Sequence, residues 1–310
     1  SRLYTDVTAD EILVHSGAEE AIFLFMQTLL EPGDHVIVHW PCYQSLAEVA
    51  SGIGCRVTRW KAREDRGWAL DLDELVDLLL PETKAVVVNL PHNPTGYLMR
   101  REQFLAMIDI LRVRGIVLFS DEVYRESEYH AGDRLPAACD VYEDAVSLGV
   151  MSKSYGLAGL RIGWIATHAA SVLNRMAALK DYTTICNSAP SEFLAEVALR
   201  HREKLAQRSV KIITENLQLL DTFFEQHDDT FTWQRPVAGP IGFPRLITGD
   251  NEAFCDRLVR EAGVLLLPAA AHGLQAGPHG VGLGDRRGGE SADGNRGRDE
   301  RDHAPVHQEQ

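Results

Sequence analysis

The chain has 310 residues, 45% of them hydrophobic, and a formal net charge of −14. That length can bury one sizeable core with room for a smaller unit, and the acidic balance excludes the clustered Lys and Arg that a nucleic-acid partner requires. No apolar run reaches the length of a membrane span and no signal peptide opens the chain, and the five scattered cysteines form no Cys-x-x-Cys pair. These features imply a soluble, cytoplasmic protein without a membrane partner, a disulfide framework or a metal site. The chain opens at Ser1 inside what reads as folded sequence, as a piece of a longer protein would.

From about residue 11 to 166, short apolar runs alternate with helical stretches. His35–His39, Cys55–Trp60, Lys84–Leu90, Gly115–Asp121, Ala145–Val150 and Arg161–Ala166 read as strands. Glu19–Leu30, Leu72–Leu80 and Arg101–Arg114 read as helices. Such alternation predicts an α/β fold, a three-layer sandwich with a mostly parallel central sheet. Residues 191–226 read as long helices, and Phe231–Leu246 and Gly263–Pro268 as strands of a small, incomplete α+β unit. Beyond about Leu274 almost nothing apolar remains, so a disordered tail is expected there. The resulting division is a large domain over 1–210, a partial small domain over 211–273 and an atypical tail over 274–310.

Ligands of parallel sheets gather at the carboxyl ends of strands, so the polar residues just beyond each apolar run are the candidates for chemistry. One strand runs into Pro91-His92-Asn93-Pro94-Thr95-Gly96. The next runs into Asp121-Glu122-Val123-Tyr124, and a third into Met151-Ser152-Lys153 with Gly156, Gly159 and Arg161 beyond. An amide, a carboxylate with a phenol, and an amine with a guanidinium thus reach one region. Pyridoxal phosphate (PLP) chemistry needs such a set: an amine to form an imine, a carboxylate against the pyridine nitrogen, donors at the ring oxygen and an anion site for the phosphate. Ser16-Gly17-Ala18-Glu19, ahead of a strongly helical run, offers free N–H groups for that phosphate, and Tyr43 is an aromatic candidate to stack on the ring.

Each signal has a plainer reading. Asp121 can cap a helix, Asn93-Pro94-Thr95-Gly96 is an ordinary turn, Glu19 suits any first helical turn, and a lone His92 most often makes a local contact. The set in order is more specific. Gly-Ala-x-x-Ala, Pro-x-Tyr, Asn-Pro-x-Gly, Asp-x-x-Tyr and Ser-Lys-x-x-Gly-x-x-Gly-x-Arg resemble the class I/II aminotransferase family, PLP enzymes of fold type I, over about residues 5 to 270.

The resemblance implies a homodimer that moves an amino group between an amino acid and a 2-oxo acid. Lys153 would be the Schiff-base lysine and acid/base, Asp121 the partner of the pyridinium, and Asn93 and Tyr124 the ring-oxygen donors. Tyr43 would stack on the ring, while Gly17, Ala18, Glu19, Ser152 and Arg161 would hold the phosphate. Tyr43-Gln44-Ser45-Leu46, Pro91-His92-Asn93-Pro94, Ser152-Lys153-Ser154-Tyr155-Gly156-Leu157 and Asp181-Tyr182 also resemble the capreomycidine synthase branch, which cyclises an arginine derivative. The Pro91-His92-Asn93-Pro94 turn is shared with β-lyase-like members as well. A non-catalytic PLP-binding scaffold is the alternative of another class.

Three departures from the family pattern stand out. In the family pattern a further segment stands ahead of the position of Ser1. Val150 stands where Ser or Thr often touches the phosphate. Gly280 stands where an arginine pairs with the substrate carboxylate, and glycine cannot make that planar contact. The sequence from about Ala269 onward reads as an aberrant terminus or a change of reading frame.

Overall fold

The computed structural model describes residues 3–274 and the backbone of 281–282. Seven strands form the central sheet: β1 (Ile12–His15), β2 (His35–Trp40), β3 (Arg56–Lys61), β4 (Thr83–Asn89), β5 (Val117–Asp121), β6 (Ala145–Val150) and β7 (Gly163–Ala166). Their order is β1-β7-β6-β5-β4-β2-β3. Pairings from β3 through β6 are parallel, whereas β7 runs antiparallel to both β6 and β1. The expected mostly parallel α/β sandwich is therefore present.

Six helices cover the two faces: α1 (Ala18–Leu29), α2 (Ser45–Ile53), α3 (Leu72–Leu78), α4 (Arg101–Arg114), α5 (Ala138–Val141) and α6 (Ala170–Lys180). The buried strands alternate between two cores. Val36, Val38, Val87, Phe119 and Leu148 pack with Ile22, Phe25 and Met26 of α1, Leu46 of α2 and Met176 of α6. Ile37, Val86, Val88 and Leu118 face the other way, onto Leu75 of α3 and Phe104, Met107, Ile108 and Leu111 of α4. Burial on both faces explains why these strands read as continuous Val-rich runs. Edge strand β3 instead exposes Arg56, Arg59 and Lys61, charges that oppose pairing with another chain.

The long helical region beyond Lys180 is two helices, α7 (Ala189–Arg200) and α8 (Arg202–Gln226), broken at His201. α8 runs without interruption across residues 210 and 211, where the sequence suggested a domain boundary. The expected strand Phe231–Leu246 reduces to two-residue strands, β8 (Phe231–Thr232) and β9 (Arg245–Leu246), because Pro236, Pro240 and Pro244 cannot donate to a ladder. Gly263–Pro268 likewise contributes only β10 (Leu267–Pro268), after α9 (Asn251–Ala262), which Asp250 caps. Within the segment expected to be disordered, β11 (Val281–Gly282) pairs with β10. The rest of that segment, with Gly280, Arg286 and Arg287, lies outside the described residues.

Candidate active site

The polar residues beyond β4, β5 and β6 converge at one end of the sheet. Asn89, at the end of β4, ties its own turn to the neighbouring strand. Its Nδ2 donates to the Asp121 carbonyl at 3.0 Å, and its Oδ1 accepts from the Asn93 amide at 2.7 Å. Asn93 is thereby held beside β5, and its side chain hydrogen-bonds the Tyr124 hydroxyl. Among the described residues the Asn93 Oδ1 is buried and has no hydrogen-bond partner.

Asp121 is buried at the end of β5, where Oδ1 accepts from the Val123 amide at 3.1 Å. Burial raises its carboxyl from 3.8 to about 7; the Val123 bond and the charge of Lys153 offset only part of this. A cation placed against Asp121 would restore the ionised form. Burial, with the nearby Asp121 and Tyr43, also pushes the Tyr124 hydroxyl up, so it stays a neutral donor. The Lys153 Nζ lies over the Tyr124 ring, 5.6 Å from its centroid, on an exposed residue of the turn after β6.

A second group of candidate residues meets at the start of α1. Gly17 caps α1 with φ 84 and ψ 176, a conformation that side chains resist. A Cβ there would stand 2.6 Å from the Arg161 Nη2, so the guanidinium packs directly over the helix N-terminus. Arg161 reaches it from a left-handed residue at φ 52, just before β7. Gly163, in β7, allows the close approach: its Cβ would meet the Gly17 carbonyl carbon at 2.8 Å and the Ala18 nitrogen at 3.0 Å. The first-turn amides of Ala18 and Glu19 and the Arg161 guanidinium form a cradle of the kind that suits a phosphate; no contact ties Ser152 to it among the described residues.

The expected residues differ in what they bring. Gly17, Ala18 and Arg161 meet at the start of α1, whereas Asn93, Asp121, Tyr124 and Lys153 lie at the ends of β4, β5 and β6. Glu19 can offer only its backbone amide, because its carboxylate accepts hydrogen bonds from Ser45 and Tyr43, and its charge would repel a phosphate. Tyr43 is 43% exposed and lies near Asp121 and Tyr124; burial, then Glu19 and more weakly Asp121, push its hydroxyl up, so it is a neutral phenol. His92 makes the plain local contacts its setting suggested, to Thr95 Oγ1 at 2.7 Å and the Pro41 carbonyl at 2.8 Å.

Sequence reasoning missed Gly163, whose role depends on a through-space approach to α1; its place in Arg161-Ile162-Gly163 was the available signal. It also missed Glu20, which accepts from the Ser16 amide at 2.7 Å and from the hydroxyls of Thr183 and Thr184, and lies 3.7 Å from buried Lys180. These bonds fix the loop ahead of α1. Among the described residues, no cluster of three or more His, Cys, Asp or Glu is arranged to hold a metal.

The family model for aminotransferase class I and II matches residues 2–279. Capreomycidine synthase of Streptomyces vinaceus is 30% identical over 263 residues, covering 84% of this chain and 67% of that protein. The arginine–pyruvate transaminase of Pseudomonas aeruginosa is 30% identical over 280 residues, or 88% and 70% of the two chains. Among solved structures, a PLP-dependent aminotransferase from Streptococcus suis superposes with a TM-score of 0.84 at 34% identity, covering 91% of this chain and 74% of that one.

Proposed function

Since this chain belongs to the class I and II aminotransferases, and is a PLP-dependent enzyme that moves amino groups between amino acids and 2-oxo acids, we propose that Lys153 carries the cofactor and relays the proton. The observation that carries this assignment is the convergence of Lys153, Asp121, Asn93 and Tyr124 beside the Gly17–Arg161 cradle.

When bound, PLP supplies an electron sink for the bonds at the substrate Cα. The chain's own groups do the rest. Asp121 would hold a proton on the ring nitrogen by ionising against it, while the Asn93 side-chain amide N–H and the Tyr124 hydroxyl would donate to the ring oxygen. The amides of Ala18 and Glu19, with Ser152 and Arg161, would anchor the phosphate. The Lys153 Nζ, free to swing on four methylenes, takes a proton from Cα and returns it on the product side. Tyr43 covers the ring at the open mouth.

The test is spectroscopic. With free PLP removed, the loaded protein should show a visible band, and borohydride should reduce it and fix the cofactor covalently on the peptide that holds Lys153; fixation that persists in Lys153→Ala refutes the assignment. An amino acid should then leave its nitrogen on the cofactor of the wild-type protein without release of ammonia. Release of ammonia with a 2-oxo acid would instead indicate β-elimination. Formation of a cyclic product would favour the second reading, a cyclase, which the similarity to capreomycidine synthase supports.

We also propose a cytoplasmic homodimer. Tyr182, Ile185, Phe193, Leu194 and Val197 expose apolar surface around the start of α7, which a second copy would cover. The five cysteines are unpaired, as suits a reducing compartment. No helix among the described residues is long and apolar enough to cross a membrane.

A further inference from the structure

Lys153 and the ring-binding residues sit on different loops. Asp121 and Tyr124 belong to the turn after β5, whereas Lys153 belongs to the turn after β6. The lysine side chain is long and exposed, so its position depends on how firmly the second turn is held against the first.

Two side-chain bonds immediately after Lys153 join these turns. The Ser154 Oγ lies 2.7 Å from the Ser127 Oγ, and the Tyr155 hydroxyl donates to the Glu126 Oε2 at 3.0 Å. All four residues are buried. Glu126 is anchored in turn: its Oε1 accepts from Arg202 at 2.5 Å, at the start of α8, and from Arg134 at 3.5 Å. Its backbone is left-handed, with φ 72 at a residue that is not glycine. Backbone strain at a buried residue persists where surrounding contacts over-determine it. Here those contacts are Tyr155, Arg202 and Arg134, together with the Glu128 carboxylate, which accepts from the Glu126 amide at 3.2 Å. The adjoining Ser127 amide donates to the Tyr124 carbonyl at 2.9 Å, so the same short segment carries the phenol and receives the lysine turn.

We propose that Glu126 is a positioning residue for Lys153, acting through the Tyr155 hydroxyl, with the Ser127–Ser154 contact as the second point of a two-point clamp between the loops. The inference rests on Lys153 being the cofactor lysine. Glu126 touches no substrate; it sets the distance from Lys153 to Asp121 and Tyr124. A displacement of about 1 Å in a reacting group can cost about a hundredfold in rate, so a clamp of this kind has measurable consequences.

The test uses Tyr155→Phe, which removes one oxygen and keeps the buried ring, beside Glu126→Ala and Glu126→Gln. The readouts are the pH at which the visible band of PLP-bound enzyme changes, the pH dependence of Lys153 modification by an amine reagent in cofactor-free protein, and kcat and KM separately. Tyr155→Phe and Glu126→Ala should each move both pH profiles by about half a unit or more, because the charges facing the amine change distance. Each should lower kcat about tenfold or more with KM little altered. The double variant should go no further than either single one, and Glu126→Gln, which still accepts from Tyr155, should restore part of the loss. Lower thermal stability with both pH profiles unchanged would overturn the proposal. If Glu126→Ala does not fold, Tyr155→Phe decides alone. Failure of the cofactor assignment is distinguishable, because borohydride would then fix no PLP on Lys153 of the wild-type protein.

Discussion

Replacing Asp121 by asparagine should stabilise the cofactor-free protein while crippling it as an enzyme. The wild-type carboxyl is raised from 3.8 to about 7. Protons therefore bind the folded chain more tightly than the unfolded one between those values, and the penalty of burying the ionised group grows with pH across the same window. Below pH 3.8 the group is protonated in both states and the penalty vanishes. Above about 7 it is complete and, at 1.36 kcal/mol per pKa unit, amounts to roughly 4 kcal/mol; at pH 5 it is about 2 kcal/mol. Asparagine is nearly isosteric, can still accept from the Val123 amide through Oδ1, and carries no charge to bury.

Urea unfolding of cofactor-free wild type and Asp121→Asn at pH 5 and pH 8.5 measures the difference directly. The variant should be the more stable at both, with the larger advantage at pH 8.5. Saturating PLP should raise the wild type by more than the variant, since only a carboxylate gains from the ring cation. Equal stability at pH 8.5, or an advantage that does not depend on pH, would refute the claim that this carboxylate is held at a cost until a cation reaches it.

Gly163→Ala should weaken PLP binding by about tenfold or more and destabilise the fold by about 1–3 kcal/mol, because its Cβ meets backbone atoms of Gly17 and Ala18 that cannot swing aside; titration with PLP and thermal melting check both. Acid should loosen the contact between β2, the Asn93 turn and residues 269–272. Burial lowers His39, His92 to about 3 and His272 to about 4, so their stabilisation is full above about pH 6.5 and falls by up to about 1.4 kcal/mol per histidine per pH unit below it. Urea unfolding of His92→Gln against wild type from pH 7.5 to 5 should show a shallower decline. Phe193→Asp should yield monomers by light scattering, because the 64% exposed ring would lie in the proposed interface.

The sheet, and the candidate residues at its ligand end, are readable because each rests on local chemistry. Buried parallel strands must be apolar throughout, so Val86–Val88 and Ala145–Val150 announce themselves, and the polar groups just beyond them mark the ligand end. Lys153, Asp121, Asn93 and Arg161 stand out as candidates for the same reason. Strand β1 was missed because its four residues, pairing only with β7 at the sheet edge, carry too little pattern. The overlong strand at Phe231–Leu246 was a failure to let three prolines count for more than the apolar residues between them. Glu19 shows a different limit: its helix position was right, but whether its side chain faces a phosphate or Tyr43 depends on α2, 26 residues away. Glu126 and Tyr155 are 29 residues apart, and nothing local in either marks the bond between them.

On the proposed assignment the work is divided between two groups of residues. Ring contacts would come from β4 and β5, at the middle of the sheet, where burial gives Asp121 its raised carboxyl. Phosphate contacts would come from α1 and the approach to β7, where Gly17 and Gly163 allow two backbones and a guanidinium to meet. Neither side alone would recognise the whole cofactor, and each can be altered without touching the other. Affinity should therefore be nearly additive between Gly163→Ala and Asp121→Asn. Lys153 reactivity should answer to Asp121 and to the Glu126–Tyr155 clamp, and not to the cradle. A Gly163→Ala protein that binds PLP weakly yet, once saturated, shows the wild-type pH profile would bear this division out; a displaced profile would mean that the phosphate, too, sets the position of the amine.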